Sequence, residues 1–266
     1  MEKKIGKLRI SIVKNDSFIN PKYAKANIGE SIQSVAMQLI YDLCGVVEED
    51  IVRINQCDVK KYQNKEIILP LRLPLSSDNI DEFLPLDKCV HPFFISLHLH
   101  DDVFVGRPDL VEYFKKYEPI GCRDEMSCDF FRRHDIESYI MGCYTLVFSC
   151  RGEGEYERVF VVDASEELKE NIPKQLLNEA VFMSHAVPYW EYPITVEEDQ
   201  RLENLAKKRL KDYRENGSLV ITSRIHVAAP CVAMGVPVIL ATDNADFRYA
   251  WIDKFIPLHI VKCFLQ

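Results

Sequence analysis

Arg224 and His226 stand two residues apart and form the strongest chemical pair in this 266-residue sequence. They follow an apolar, β-branched run, Leu219 to Thr222, and precede a small-residue stretch that ends at Gly235. A planar guanidinium fork matches phosphate or carboxylate, and an imidazole changes charge near neutral pH. Backbone N–H groups opening the next helix would add to an anion site. The pair reads either as anion binding with acid–base work, or as a charged loop that only caps and packs; residue types alone leave both open.

Three other groups compete for attention. Ile120-Gly-Cys-Arg-Asp124 carries a glycine and an Arg–Asp pair at a strand end. Arg123 offers a second cation, while Asp124, with Glu125 behind it, reads as a helix N-cap. Asn27-Ile-Gly-Glu-Ser31 puts a glycine turn at the start of a helix. Capping is the commoner use of such a turn and ligand contact the other. His98 and His100 alternate on a strand and so face the same way. Nothing downstream completes a metal set around them, so no metal is expected and His100 is read as lining a cleft. The sequence has no Gly-x-Gly-x-x-Gly fingerprint, no Walker loop and no Gly-x-Ser-x-Gly elbow. Lys207, Lys208, Arg209, Lys211 and Arg214 read as a solvated helix face.

The elements that must hold these groups alternate between strand and helix. Strands are expected at Leu8 to Val13, Ile51 to Ile54, Ile67 to Leu71, Phe93 to His100, Ile120 to Arg123 and Tyr139 to Phe148. A second series follows at Val159 to Asp163, Val181 to Ala186, Leu219 to Thr222, Val236 to Ala241 and Leu258 to Phe264. A helix after Gly29 carries Ile32, Val35, Ala36, Leu39, Ile40 and Leu43 on one stripe. Others are expected over Asp109 to Tyr117, Met126 to His134, Glu166 to Ala180, Val227 to Met234 and Asp246 to Phe255. The clearest helix opens with a Thr195–Glu198 capping box, carries Leu202, Leu205, Ala206, Leu210 and Tyr213, and stops at Asn216-Gly217. The polar Ser149 to Arg158 stretch marks a boundary, giving domains 1–152 and 153–266. The expected fold is α/β: two Rossmann-like domains, each with a mostly parallel sheet, facing across a cleft. Ligand groups then belong just beyond the carboxyl ends of the strands.

A net charge of −8 argues against a broad nucleic-acid surface, which needs a basic face. The apolar run from Val227 to Ala241 is broken by Pro230, Gly235 and Pro237, so no membrane span is expected. The start of the chain lacks the pattern of a secretory leader. Nine cysteines fall at irregular spacings with no Cys-x-x-Cys, as expected of reduced thiols in a cytoplasmic protein.

Taken together, Val220-Ile-Thr-Ser-Arg-Ile-His226 with Gly235-Val-Pro-Val, Ile120-Gly-Cys-Arg-Asp124 and Asn27-Ile-Gly-Glu-Ser-Ile-Gln33 resemble the polysaccharide pyruvyl transferase family. Order and spacing match from Asn27 to about Leu240. The resemblance implies a fold like that of two-domain GT-B glycosyltransferases, with the first domain reduced around the proline-bearing stretch from Leu69 to Pro92. It implies transfer of a pyruvyl group from phosphoenolpyruvate to two hydroxyls of a sugar, forming a ketal without a cofactor or metal. Ser223, Arg224 and His226 fall on the donor-binding motif, with Arg224 and His226 as catalytic residues, and Arg123 on the Gly-x-Arg-Asp motif. The N-terminal domain would serve the acceptor, through Asn27, Gly29, Glu30 and His100, and the C-terminal domain the donor. Glu30 departs from the family, which usually has Asp there. The partner implied is a glycan or lipid-linked sugar, with no nucleic acid, no membrane span and peripheral contact with glycan-assembly machinery. Two other readings stand beside this one. The first is a GT-B glycosyltransferase using a nucleotide sugar, with Asp163, Asp243 or Asp246 for the ribose. The second is a non-catalytic glycan- or partner-binding relative, in which the Arg224–His226 pair would be buried away from any cleft or the cleft would be blocked.

Overall fold

The computed structural model describes residues 4–9, 25–188, 195–244 and 246–261. These form two compact units. Residues 4–9 and 40–144 make the first, and residues 25–39 with those from 145 onward make the second. The sequence-based division at 152/153 thus differs from the observed grouping at two places, 145–152 and 25–39. The long helix Ile28–Leu43 spans the second of these junctions.

In the first unit four parallel strands run in the order Ile51–Asn55, Lys4–Arg9, Ile67–Leu71, Val90–Phe94. Ile67–Leu71 alternates, with Ile67, Leu69 and Leu71 fully buried while Ile68 is exposed. The inward face meets an aromatic cluster. The Phe94 and Phe114 ring centroids are 4.8 Å apart, and Phe131 lies 5.1 Å from Phe114. Phe114 and Phe131 come from helices Pro108–Lys115 and Glu125–Arg133. Two short parallel pairs, Pro74–Leu75 with His98–Leu99 and Ile120–Cys122 with Ser138–Ile140, complete the unit.

The second unit is a five-stranded parallel sheet in the order Val181–Met183, Arg158–Val162, Gly217–Thr222, Val238–Thr242, Leu258–Ile260. Numbered along the chain this is 2-1-3-4-5, a doubly wound order whose switch point lies between Arg158–Val162 and Gly217–Thr222. The interior strand Arg158–Val162 is buried on both faces from Val159 to Val162, as a sheet covered by helices on both sides requires. Val159 and Val161 pack with Leu168, Ile172 and Ile221 on one side. On the other side Phe160 meets Tyr213, ring centroids 5.4 Å apart, on helix Val196–Asn216. Truncating Phe160 to Ala would cost about 3–5 kcal/mol through the cavity left in this layer.

That helix starts where the capping pattern predicts, since the Thr195 hydroxyl accepts from the Glu198 N–H at 3.2 Å. It runs directly into the next strand at Gly217, where a Cβ would fall 2.6 Å from the Tyr213 carbonyl oxygen. Only glycine permits so close an approach. Helix Ile225–Met234 ends at Gly235, which takes the left-handed conformation of a C-cap at φ 70°.

Several expected elements differ. Tyr139 to Phe148 is not one strand: Ser138–Ile140 pairs, then Gly142 turns left-handed at φ 72° and Tyr144–Val147 coils into a 3₁₀ turn. Phe93 to His100 breaks at Ser96, φ 51°. The expected helix at Glu166 to Ala180 becomes two, Glu166–Glu170 and Lys174–Glu179, divided at Pro173. Asp246 to Phe255 contains only a 3₁₀ turn at Phe247–Tyr249. The Asp246 carboxylate accepts from the Arg248 backbone N–H and competes with helix. In helix Ile28–Leu43 the buried apolar side chains are Ile28, Ile32, Ala36, Met37 and Tyr41, while Leu43 is exposed. The first strand occupies Lys4–Arg9, and residues 10–13 and 262–264 of the outer expected strands lie outside the described residues.

Candidate functional site

Two strands of the second unit end side by side at the switch point, and their next residues meet. Asp163 follows Arg158–Val162, and Ser223-Arg224 follows Gly217–Thr222. The Arg224 Nε donates to Asp163 Oδ2 at 3.0 Å. Asp163 also accepts from the Ser184 hydroxyl at 2.7 Å and from the His185 backbone N–H at 2.9 Å. Its backbone sits in the left-handed region at φ 49°, a conformation that Asp tolerates better than most residues. Burial alone would raise its carboxyl, but the bonds from Ser184 and His185 and the charge of Arg224 outweigh that and hold it below the usual range. Asp163 therefore stays ionised and keeps a fixed anchor under the guanidinium.

The anchor takes only Nε. The Arg224 side chain is 40% exposed, and among the described residues its two Nη groups meet no acceptor. Arg224 is also the N-cap of helix Ile225–Met234 and gives it no side-chain cap; its carbonyl accepts from the Val227 and Ala228 N–H groups, and among the described residues those of Ile225 and His226 remain available to an anion. The Ser223 hydroxyl donates to the Asp163 carbonyl at 2.9 Å, which holds the two strand ends together and leaves that oxygen only acceptor capacity.

His226 occupies the first turn of the same helix. Facing it is the start of helix Ile28–Leu43, which strand Lys25–Asn27 positions by pairing antiparallel with Ala186–Pro188. The Ile28 N–H donates to the His185 carbonyl at 2.8 Å, and the Gly29 N–H to Asn27 Oδ1 at 3.0 Å. A Cβ on Gly29 would come within 3.0 Å of His226 Cβ, so glycine is what lets the helix start approach the imidazole. The Gln33 amide nitrogen lies 3.2 Å from His226 Nδ1 and 3.0 Å from Glu30 Oε2. Glu30 Oε1 is 3.8 Å from the same Nδ1. His226 Nε2 is covered and has no partner among the described residues. Beneath, His185 is fully buried, with Nε2 2.9 Å from the Tyr213 hydroxyl. Burial pushes its pKa down to about 3, so the ring is neutral and adds no charge to the cluster.

The structure thus brings together Asn27, Gly29, Glu30, Ser223, Arg224 and His226. Sequence reasoning assigned the first three to the acceptor, yet they cluster with the residues of the donor motif. It passed over Gln33 and His185, and treated Asp163 only as a ribose ligand. The strand-end position of Asp163 was the available signal for its part here. Asp243 accepts from the Ser165 hydroxyl, and Asp246 pairs with Arg248.

Arg123 and His100 belong to the first unit. Arg123 follows strand Ile120–Cys122, is half-buried, and donates its backbone N–H to Leu97. Asp124 caps helix Glu125–Arg133, accepting from the Ser127 N–H and hydroxyl at 2.8 and 2.9 Å. Its other oxygen meets His98 Nδ1 at 2.5 Å. His100 is exposed, its ring 4.8 Å from that of His98. Burial lowers the His98 pKa against the pull of Asp124, so His98 is neutral at physiological pH and donates to the carboxylate. Among the described residues no group of three His, Cys, Asp or Glu is placed to hold a metal ion. No helix there is long and apolar enough to cross a membrane.

The doubly wound order of its parallel sheet places the second unit in the Rossmann-like α/β class, with Asp163, Arg224 and His226 at its switch point. The family model for polysaccharide pyruvyl transferases matches residues 104–244, more than half of the chain, and the chain belongs to that family. The match takes in Arg123, Asp163, Arg224 and His226; the Asn27-to-Gln33 segment lies outside it. A functionally uncharacterised protein from Klebsiella pneumoniae subsp. pneumoniae NTUH-K2044 has a similar fold, with a TM-score of 0.50 at 14% identity over 97% of this chain and 92% of that one. No curated protein matches the sequence.

Proposed function

We propose that the protein transfers the pyruvyl unit of phosphoenolpyruvate to two hydroxyls of a sugar in a glycan or lipid-linked precursor, forming a ketal and releasing phosphate. The observation that carries this reading is the Arg224 guanidinium, held through Nε by Asp163 with both Nη groups open beside His226. Phosphoenolpyruvate presents a phosphate and a carboxylate, and a guanidinium fork next to an uncapped helix start suits either. Arg123 is assigned to the donor's second anionic group on its family motif.

In the reaction the methylene carbon of the donor gains a proton, and C2, made electrophilic, is attacked by the first sugar hydroxyl. The C2–O bond to phosphate then breaks, and the second hydroxyl closes the ketal. Of the two hydroxyl protons, one is matched by the new methyl hydrogen and the other leaves with phosphate. Charge grows on the departing phosphate, where Arg224 would meet it. His226 would donate a proton to the phosphate or to the methylene carbon, and Glu30 is the candidate base for the acceptor hydroxyl. No cofactor enters this scheme, and contact with membrane-bound glycan assembly would be peripheral and cytoplasmic.

The nucleotide-sugar alternative gains no support from this cluster, since the three carboxylates named for a ribose are each engaged within the unit. Of the two non-catalytic forms, the one with a buried pair does not fit an Arg224 that is 40% exposed. A ligand that binds only the native state raises its stability by mass action. Phosphoenolpyruvate should therefore raise the melting temperature and release phosphate when a sugar acceptor is supplied. A shift with nucleotide sugars alone would overturn the proposal in favour of glycosyl transfer.

A further inference from the structure

We propose that Gln33 is a positioning residue that fixes the tautomer of His226, keeping the proton on Nε2 and Nδ1 bare. Glu30 sets which end of the Gln33 amide faces the ring. A carboxylate can only accept, so the Gln33 group 3.0 Å from Glu30 Oε2 must be the amide NH₂ and not its oxygen. That nitrogen has two hydrogens. One points to Glu30, and the other is directed at His226 Nδ1, 3.2 Å away. A ring nitrogen that receives a hydrogen bond carries no proton, so in neutral His226 the proton sits on Nε2.

Two consequences follow. Nε2, which has no partner among the described residues, becomes a fixed donor suited to an anionic oxygen or to proton delivery. And the amide, bonded to Glu30 Oε2, competes for Nδ1 with Glu30 Oε1, which lies 3.8 Å from the same nitrogen. Without the amide, the carboxylate would draw the proton to Nδ1, and Nε2 would turn from donor to acceptor. Gly29 makes the arrangement possible by letting the helix start close on His226. The tautomer is a property of the resting protein; only its effect on turnover rests on the proposed reaction.

The test reads the ring nitrogens directly. In protein carrying ¹⁵N-labelled histidine, near neutral pH and without donor, His226 is assigned as the signal lost in His226→Gln. The wild type should show the Nε2–H form. Gln33→Met should move the proton to Nδ1, and adding Glu30→Gln to that variant should move it back. Gln33→Glu, whose carboxylate must accept from Nδ1–H, should give the Nδ1–H form by an independent route and serves if Gln33→Met fails to fold. In the proposed reaction Gln33→Met should lower kcat about 10- to 100-fold; the Glu30→Gln addition is read by its nitrogen shifts alone, because it also removes the candidate base. An Nδ1–H ring in the wild type, or a tautomer unmoved in both Gln33 variants, overturns the inference. The expected nitrogen shifts in a protein that ignores phosphoenolpyruvate would leave the tautomer assignment standing and remove the proposed reaction instead.

Discussion

In the first unit His98 and Asp124 are each 2% exposed, and Ser127 completes a closed set of bonds around the carboxylate. In the second, Asp163 meets Arg224 through a single nitrogen, and the rest of that guanidinium stays open. Both clusters join an acidic group to a basic one at the end of a parallel strand, yet their physics differ. A buried pair joined through His98 Nδ1, with the second carboxylate oxygen taken by Ser127, holds a loop and a helix start together. A half-exposed cation anchored by its inner nitrogen keeps its outer ones for a ligand. Burial and the count of remaining donors, more than residue type, separate a structural pair from a binding one.

Substitutions at the two clusters should therefore separate stability from turnover. The largest effect expected is on activity: Arg224→Ala and His226→Ala should each lower turnover about 10²- to 10³-fold, with melting temperatures close to wild type. His98→Ala should do the reverse. Leaving Asp124 buried without its partner should cost about 3–5 kcal/mol in denaturant unfolding, while the folded fraction keeps its specific activity. Equal losses of stability in Arg224→Ala and His98→Ala would erase the distinction.

The buried histidines set an acid-side limit on stability. Burial holds the His185 pKa down to about 3 against an ordinary 6.5, and lowers that of His98 as well. Between those limits the unfolded chain takes up protons that the folded chain refuses. Stability should thus fall as pH drops below about 6.5, by up to ~1.4 kcal/mol per pH unit for each group. Asp163 and Asp124, both lowered, lose their contribution only further down, as the pH falls through folded pKa values below the ordinary 3.8. Urea midpoints measured against pH should show this slope, and His185→Gln should flatten it.

Smaller effects should come from the supports of the open cluster. Asp163→Asn keeps the shape but removes the charge beneath Arg224, and should raise KM for the donor roughly 10-fold with a lesser change in kcat. Gly29→Ala must displace His226 by a few tenths of an ångström, since its Cβ would fall within 3.0 Å of the ring-bearing carbon. It should lower activity a few-fold and stability by less than about 1 kcal/mol.

Much of this was legible along the chain. The apolar strand before Arg224, the Thr195 cap and the Gly235 stop are local signals, and each is observed where the pattern placed it. Asp124 capped its helix as read. The failures came where a local rule lost to a partner distant in sequence. Val181 to Ala186 read as one strand, but Asp163 takes the Ser184 hydroxyl and the His185 N–H, and the chain leaves one sheet at Met183 to join another at Ala186. Gln33 looked like one more polar residue on a helix, because its meaning depends on His226, 193 residues away. Spacing reveals neighbours on one element; it does not reveal which carboxylate will orient which amide.

The central claim is that the open guanidinium at the switch point binds the donor. Calorimetric titration of phosphoenolpyruvate into wild-type protein and into Arg224→Ala, with circular dichroism to confirm the fold, tests it most directly. The account predicts saturable binding in the wild type and an affinity at least about 100-fold weaker in the variant, a loss of ~2.7 kcal/mol. Equal affinity in the two proteins would contradict it.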